Sequence, residues 1–171
     1  MKRAILDSSC AIALLEAELL PKLALLFSEV LIPSAVRKEL SRRSMIKSAL
    51  KRLHAGGFIR YCIEYDRVSA EILLPVDRRR ALKDMGEAEA IVQASTLGGA
   101  VLVDDRWARK VAALQGIEYF GSFGVIKSLV GLGVLDQSAA RSALHQIKLS
   151  GCFLPLDLVN EFLRSIGEEG L

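Results

Sequence analysis

The sequence predicts a three-layer α/β/α domain around a central parallel sheet of about five strands, with further helices at the C-terminus. Three observations carry this expectation. Short apolar runs alternate with stretches of helical periodicity, the pattern of repeated strand–helix–strand units. Glycines and prolines stand where those helices should stop and start. Apolar residues make up 51% of the 171 residues and mean hydropathy is +0.33. That is enough for strands buried on both faces, with apolar surface left for a partner.

The elements follow in order. Met1-Lys2-Arg3 leads into Ala4-Ile5-Leu6, a first strand near 3–6. This apolar stretch is too short for a signal peptide and lacks a small-residue cleavage site. Helical patterns near 9–16 and 21–28 precede a second strand near 30–32. Pro33 opens a helix near 34–43, and another near 45–55 stops at Gly56-Gly57. A third strand near 57–63 and a helix near 67–82 come next. Gly86 starts a helix near 86–97 that stops at Gly98-Gly99. A fourth strand near 100–103, a helix near 105–115 ending at Gly116, and a fifth strand near 117–120 complete the sheet.

Beyond it the chain is helical near 122–132, 136–149 and 155–166. In the last of these, Leu154, Leu158, Phe162 and their neighbours form an apolar stripe, with Asp157 and Glu161 on its polar side. No linker or low-complexity segment intervenes. Residues 1–127 therefore read as the main domain, and 128–171 as a helical extension packed on the same domain or offering a dimer surface. No apolar run approaches the roughly 18 residues of a membrane helix, so a soluble cytoplasmic protein is expected, with no membrane partner.

The net charge of +3 permits a nucleic-acid partner without requiring one. Cys10, Cys62 and Cys152 are odd in number, far apart and in apolar company. They read as buried thiols in a reducing compartment, not as a disulfide framework or a zinc site. With only His54 and His145, a His-based metal site or catalytic triad has almost no material.

In an open parallel sheet, ligands collect beyond the carboxyl ends of the strands, near the point where strand order reverses. Asp7 follows the first strand, Glu39 lies one turn into the helix after the second, and Asp104-Asp105 follow the fourth. The helix feeding the fourth strand opens with Glu87 and Glu89. Singly, each has an ordinary explanation. Asp7, Asp104 and Asp105 could cap helices, Glu39 could lie on a solvated face, and Glu87 suits the positive end of a helix dipole. Crowded at one rim, they would repel each other unless a cation sits among them. Oxygen ligands without His or Cys select Mg²⁺ or Mn²⁺, ions that suit phosphate chemistry.

Cations border these acids. Arg37, Lys38, Arg42, Arg43 and Lys47 accompany Glu39, Arg78-Arg79-Arg80 with Lys83 precede Glu87, and Arg106, Arg109 and Lys110 follow Asp105. Such clusters fit phosphates approaching a groove. Aromatic residues are only 6% of the chain, which limits recognition by base stacking.

Four segments carry a resemblance. Ile5-Leu6-Asp7-Ser8-Ser9, Leu31-Ile32-Pro33-Ser34-Ala35-Val36-Arg37-Lys38-Glu39-Leu40, Gly86-Glu87-Ala88-Glu89-Ala90-Ile91-Val92-Gln93-Ala94 and Leu102-Val103-Asp104-Asp105-Arg106-Trp107-Ala108-Arg109 resemble the successive acidic motifs of PIN domains. That family includes the ribonuclease toxins of toxin–antitoxin pairs. The likeness covers roughly residues 3–127, and Gly121-Ser122-Phe123-Gly124-Val125-Ile126 resembles the segment after the last strand in one prokaryotic subgroup.

The resemblance implies a PIN-like fold and a Mg²⁺- or Mn²⁺-dependent endoribonuclease that hydrolyses RNA and leaves a 5′-phosphate. It also implies a homodimer and, in toxin members, an antitoxin protein. Residue by residue, it implies Asp7, Glu39, Glu89 and Asp105 as catalytic metal ligands, with Ser8 as a supporting hydroxyl. Asp104 and Glu87 are further candidate ligands. Glu89 stands before an apolar run as the motif requires, and Glu87 lies about 200° away on the same helix. Val103 occupies a position where many members carry Thr or Ser. Arg37, Lys38, Arg42, Arg43, Arg106 and Arg109 are the RNA-binding candidates.

Two other families fit poorly. A haloacid-dehalogenase-like phosphatase needs a second Asp two residues after the first, where this chain has Ser9. A dinucleotide-binding domain needs a Gly-rich turn where this chain has Asp7-Ser8-Ser9-Cys10. The remaining alternative is a PIN-like module that binds RNA or protein without cutting. Such a module should have lost several carboxylates, and all four expected positions are acidic here.

Overall fold

The computed structural model describes residues 2–42, 44–62, 67–74 and 85–171. Within them β1 (Lys2–Leu6), β2 (Phe27–Ile32), β3 (Ile59–Tyr61), β4 (Ala100–Leu102) and β5 (Tyr119–Phe120) form one sheet. Every neighbouring pair is parallel, in the order β3-β2-β1-β4-β5. The helices are α1 (Ser8–Glu16), α2 (Ser34–Ser41), α3 (Ser44–Ala55), α4 (Arg67–Leu73), α5 (Met85–Leu97), α6 (Arg106–Leu114), α7 (Ser122–Gly131), α8 (Gln137–Leu149) and α9 (Leu156–Ser165). This is the expected three-layer α/β/α arrangement.

The layers follow from the two-residue period of a strand. Ala4, Leu6, Val30, Ile32, Ala100 and Leu102 share one face of the sheet. Cys10 and Leu14 of α1, Val36 and Leu40 of α2, Leu144 of α8 and Leu163 of α9 pack in the same cluster. Truncating a fully buried leucine there, such as Leu14, would cost on the order of 2–5 kcal/mol. Ile5, Leu31, Val101 and Val103 face the other way, against Ala90, Ile91 and Ala94 of α5 and Ala108 and Ala112 of α6. Alanines let these two helices lie close to the sheet. With both faces covered, Ala4, Ile5 and Leu6 are all fully buried. The C-terminal helices therefore share the core of the sheet.

Three boundaries differ from the sequence expectation. The stretch expected to be helical near 21–28 is a 3₁₀ turn at Leu20–Leu25, and β2 has already begun at Phe27. Phe27 pairs with Lys2 and its ring meets Phe120 edge-on at 5.8 Å, so sheet pairing outweighs local helical preference there. Among the described residues the third strand covers Ile59–Tyr61 and the fifth Tyr119–Phe120. Of the helix expected near 67–82, α4 is seen, and residues 75–84 lie outside the described ones. The expected helix stops are real: Gly57, Gly98 and Gly116 take positive φ of 80°, 70° and 68°, a conformation open to glycine.

Strand order sets the site. From β1 the chain moves outward to β2 and β3, then crosses back to place β4 on the other side of β1. The reversal lies between β1 and β4, where α/β sheets bind ligands. The Asp7 amide donates to the Leu102 carbonyl at 3.0 Å, holding the residue after β1 against the end of β4.

Candidate active site

Asp7 directly follows β1 and caps α1. Its Oδ2 accepts from the Ser9 amide at 2.9 Å and from the Ser9 hydroxyl, so the capping role open from sequence is realised. The carboxylate is fully buried. The Ser8 hydroxyl lies 3.4 Å from Asp7 Oδ1 and donates to Glu39 Oε2, joining the residue after β1 to the helix after β2.

Two glycines make room for carboxylates. A Cβ at Gly86 would lie 3.3 and 3.4 Å from the two oxygens of Glu39, so α5 can approach α2 at that point. A Cβ at Gly121 would lie 2.7 Å from Asp104 Oδ1. That oxygen instead accepts from the Ser122 amide at 2.9 Å. The other oxygen, Asp104 Oδ2, is buried without a hydrogen-bond partner. The Arg109 guanidinium donates to the Asp104 carbonyl.

Electrostatics link these groups in a row. Burial raises the Asp7 carboxyl above its ordinary value of 3.8, hydrogen bonds from Ser9 and Ser8 oppose the shift, and the Glu39 charge adds to it. Burial also raises Asp104, against the Ser122 hydrogen bonds and the Arg109 charge, with Asp7 contributing upward. Glu39 lies on the helix after β2, Asp7 directly follows β1 and Asp104 follows β4, and these three strands are adjacent.

The other expected site residues have different partners. Glu89 is fully buried. It accepts from the Ser34 amide and hydroxyl at 3.0 Å each, from the Ala35 amide at 2.7 Å and from Gln93 at 3.4 Å. Pro33 at the N-cap of α2 offers no capping side chain, and Glu89 supplies a carboxylate to that helix end instead. It thereby fixes the helix that carries Glu39. Asp105 caps α6, accepting from the Ala108 amide at 2.9 Å. Glu87 is partly buried in the first turn of α5. Hydrogen bonds thus draw together Asp7, Ser8 and Glu39, the Asp7 charge is felt at Asp104, and Glu89 and Asp105 secure helix ends.

Among the described residues, no group of three or more Asp, Glu, His or Cys side chains stands so as to hold a metal ion directly. The donor set nevertheless fits a small hard cation. Mg²⁺ keeps several waters and uses one or two carboxylates, and Asp104 Oδ2 is a buried acceptor with nothing to accept.

Cations flank the row. Arg37, Lys38 and Arg42 are exposed on and after α2. On the other side, Arg106 and Arg109 lie 5.2 and 5.4 Å from the Phe153 ring. Arg43, Arg78, Arg79, Arg80 and Lys83 lie outside the described side chains. Nothing local marked Phe153, an isolated aromatic residue of the C-terminal segment, as a neighbour of the fourth motif. Gly86 and Gly121 could have been noticed from their adjacency to the acidic segments. The three cysteines are free. Burial raises Cys10 well above its ordinary value and pushes Cys62 up to about 11, so both thiols stay protonated. Among the described residues, no helix is long and apolar enough to cross a membrane.

No curated protein matches the chain. Residues 3–168 match the family model DUF3368, described as a PIN domain. PIN domains are generally nucleases and typically use divalent metals. The match spans the whole sheet and the C-terminal helices as well as the four acidic segments. On that match, and on the parallel sheet with its acidic carboxyl edge, the chain belongs to the PIN-domain family.

Proposed function

We propose that this protein is a divalent-metal-dependent endoribonuclease that hydrolyses RNA phosphodiester bonds at the carboxyl edge of its sheet. The observation that carries this reading is the fully buried Asp7 carboxylate at the strand-order reversal, whose proton affinity is raised by burial and further by the Glu39 charge, and whose own charge raises that of Asp104. Buried like charges cost stability unless a cation neutralises them. One or two of Asp7, Glu39 and Asp104 would hold Mg²⁺ or Mn²⁺ directly, and the remainder through its bound water. Such an ion, when bound, neutralises phosphate oxygens and makes water a better nucleophile near neutral pH.

The chain's own residues do the rest. Ser8 orients Asp7 and Glu39 through its hydroxyl. Glu89 acts as a positioning residue that fixes α2, and Asp105 positions α6 with Arg106 and Arg109. Arg37, Lys38 and Arg42 on one side, and Arg106 and Arg109 on the other, would attract and align the phosphates. A homodimer, and an antitoxin if the chain is the toxin of a pair, would suit the exposed Leu149, Leu156 and Leu158 of the C-terminal segment.

The test is incubation of labelled RNA with Mn²⁺ or Mg²⁺, using the wild type beside Asp7→Asn. Metal-dependent cleavage by the wild type alone is expected. Equal cleavage by both proteins, or none by either with both ions, would favour a non-catalytic RNA- or protein-binding module.

A further inference from the structure

Between α2, α3 and the end of β3 lies a cavity of about 720 Å³. Arg37 and Lys38 of α2, Lys47, Lys51 and His54 of α3, and Tyr61 line it, and no acidic side chain does among the described residues. All four Lys and Arg side chains are exposed. None has a carboxylate partner among the described residues. Lys47 and Lys51 stand one turn apart on α3, where like charges repel. The cluster is unfavourable by itself and relieved by an anion.

The aromatic groups narrow the anion's chemistry. The Arg37 guanidinium lies over the Tyr61 ring at 4.4 Å, and the His54 ring is 4.6 Å from it. His54 Nδ1 is 2.8 Å from the Ile59 carbonyl, an acceptor, so that nitrogen donates and the ring is held in place. The Tyr61 ring is already occupied by its neighbours, so the cavity offers charge more than a platform for a base. A volume of this size has room for a nucleotide unit.

Sheet order locates the cavity relative to the carboxylates. Tyr61 belongs to β3 and Glu39 to the helix after β2, and Asp7 directly follows β1. Two strand spacings, roughly 10 Å, separate β3 from β1. A strand lying across this edge would reach the cavity with a different phosphate from the one at Asp7.

We propose that this cavity is a phosphate-binding site for a single RNA strand, holding a backbone phosphate away from the bond at the carboxylates. RNA as the ligand rests on the ribonuclease reading above. The binding itself needs neither metal nor cleavage.

The test uses the full chain with metal chelated. Anisotropy of a labelled single-stranded RNA oligonucleotide is followed over a salt series, for the wild type, Lys47→Gln/Lys51→Gln and Lys47→Arg/Lys51→Arg. The Gln variant should melt as the wild type does, bind more weakly, and show a salt slope smaller by about 0.7, the value for one single-strand phosphate no longer neutralised. The Arg variant should keep the wild-type slope. No RNA binding by the wild type would overturn the proposal, as would an unchanged slope in the Gln variant, which would leave the cavity to an acidic protein segment. Displacement of the oligonucleotide by an equal phosphate concentration of a mononucleotide would overturn it in favour of a free nucleotide. A wild type that binds RNA through these lysines but never cuts it would sink only the ribonuclease reading. One that cuts RNA with a slope indifferent to them would sink only this site.

Discussion

The Glu89 carboxylate accepts both the amide and the hydroxyl of Ser34, each at 3.0 Å, across 55 residues of sequence. A buried acid on α5 therefore closes the N-terminus of α2, the helix that holds Glu39. Glu89→Ala would leave those donors without their acceptor, at a cost of about 2–4 kcal/mol. Glu89→Gln keeps one acceptor oxygen and should lose less. Denaturant unfolding measures both, and an Ala variant as stable as the wild type would refute the structural role.

Asp7→Asn should move activity and stability in opposite directions. RNA cleavage is expected to fall by at least about 100-fold. The metal-free protein should melt roughly 2–4 °C higher, the shift that about 1 kcal/mol produces in a domain of this size, because a fully buried carboxylate that feels the Glu39 charge is neutralised. Calorimetric scans in chelator, run beside the cleavage assay, check the pair.

Acidification should stabilise the metal-free protein. Folding raises the proton affinity of Asp7 and Asp104 above the ordinary value of 3.8, so the folded chain binds more protons than the unfolded one. Their contribution is complete below that value and is lost as pH rises through the raised values. Binding of Mn²⁺ must displace those protons, so its affinity should climb with pH and titration should release protons. Heats measured in two buffers of different ionisation enthalpy report that release, and identical heats would count against Asp7 and Asp104 as ligands.

Two neighbouring glycines should respond oppositely to alanine. At Gly121 the new methyl would sit 2.7 Å from Asp104 Oδ1, so Gly121→Ala should cost about 1–3 kcal/mol and weaken Mn²⁺ binding. At Gly124, inside α7, the nearest atom would be 3.7 Å away on Phe120. Gly124→Ala should add about 0.5–1 kcal/mol through helix propensity and leave metal titration unchanged. Thermal melts and Mn²⁺ calorimetry of both variants check this contrast.

Much of the architecture is written locally. The alternation of apolar runs with helical periods, the glycines that later take positive φ, and the carboxylates following successive strands are all short-range features, because hydrophobic period and cap chemistry act over a few residues. Sequence alone thus determined an α/β sheet with acids at its carboxyl ends. Partner choice is not local. Only the strand order β3-β2-β1-β4-β5 put Asp7 between Glu39 and Asp104. Only packing gave Asp104 to the Ser122 amide and Asp105 to its own helix, assigned Glu89 to α2, and seated Phe153 beside Arg106. Each of these pairings joins atoms far apart along the chain, and its energy depends on burial and distances that exist only once the sheet has assembled.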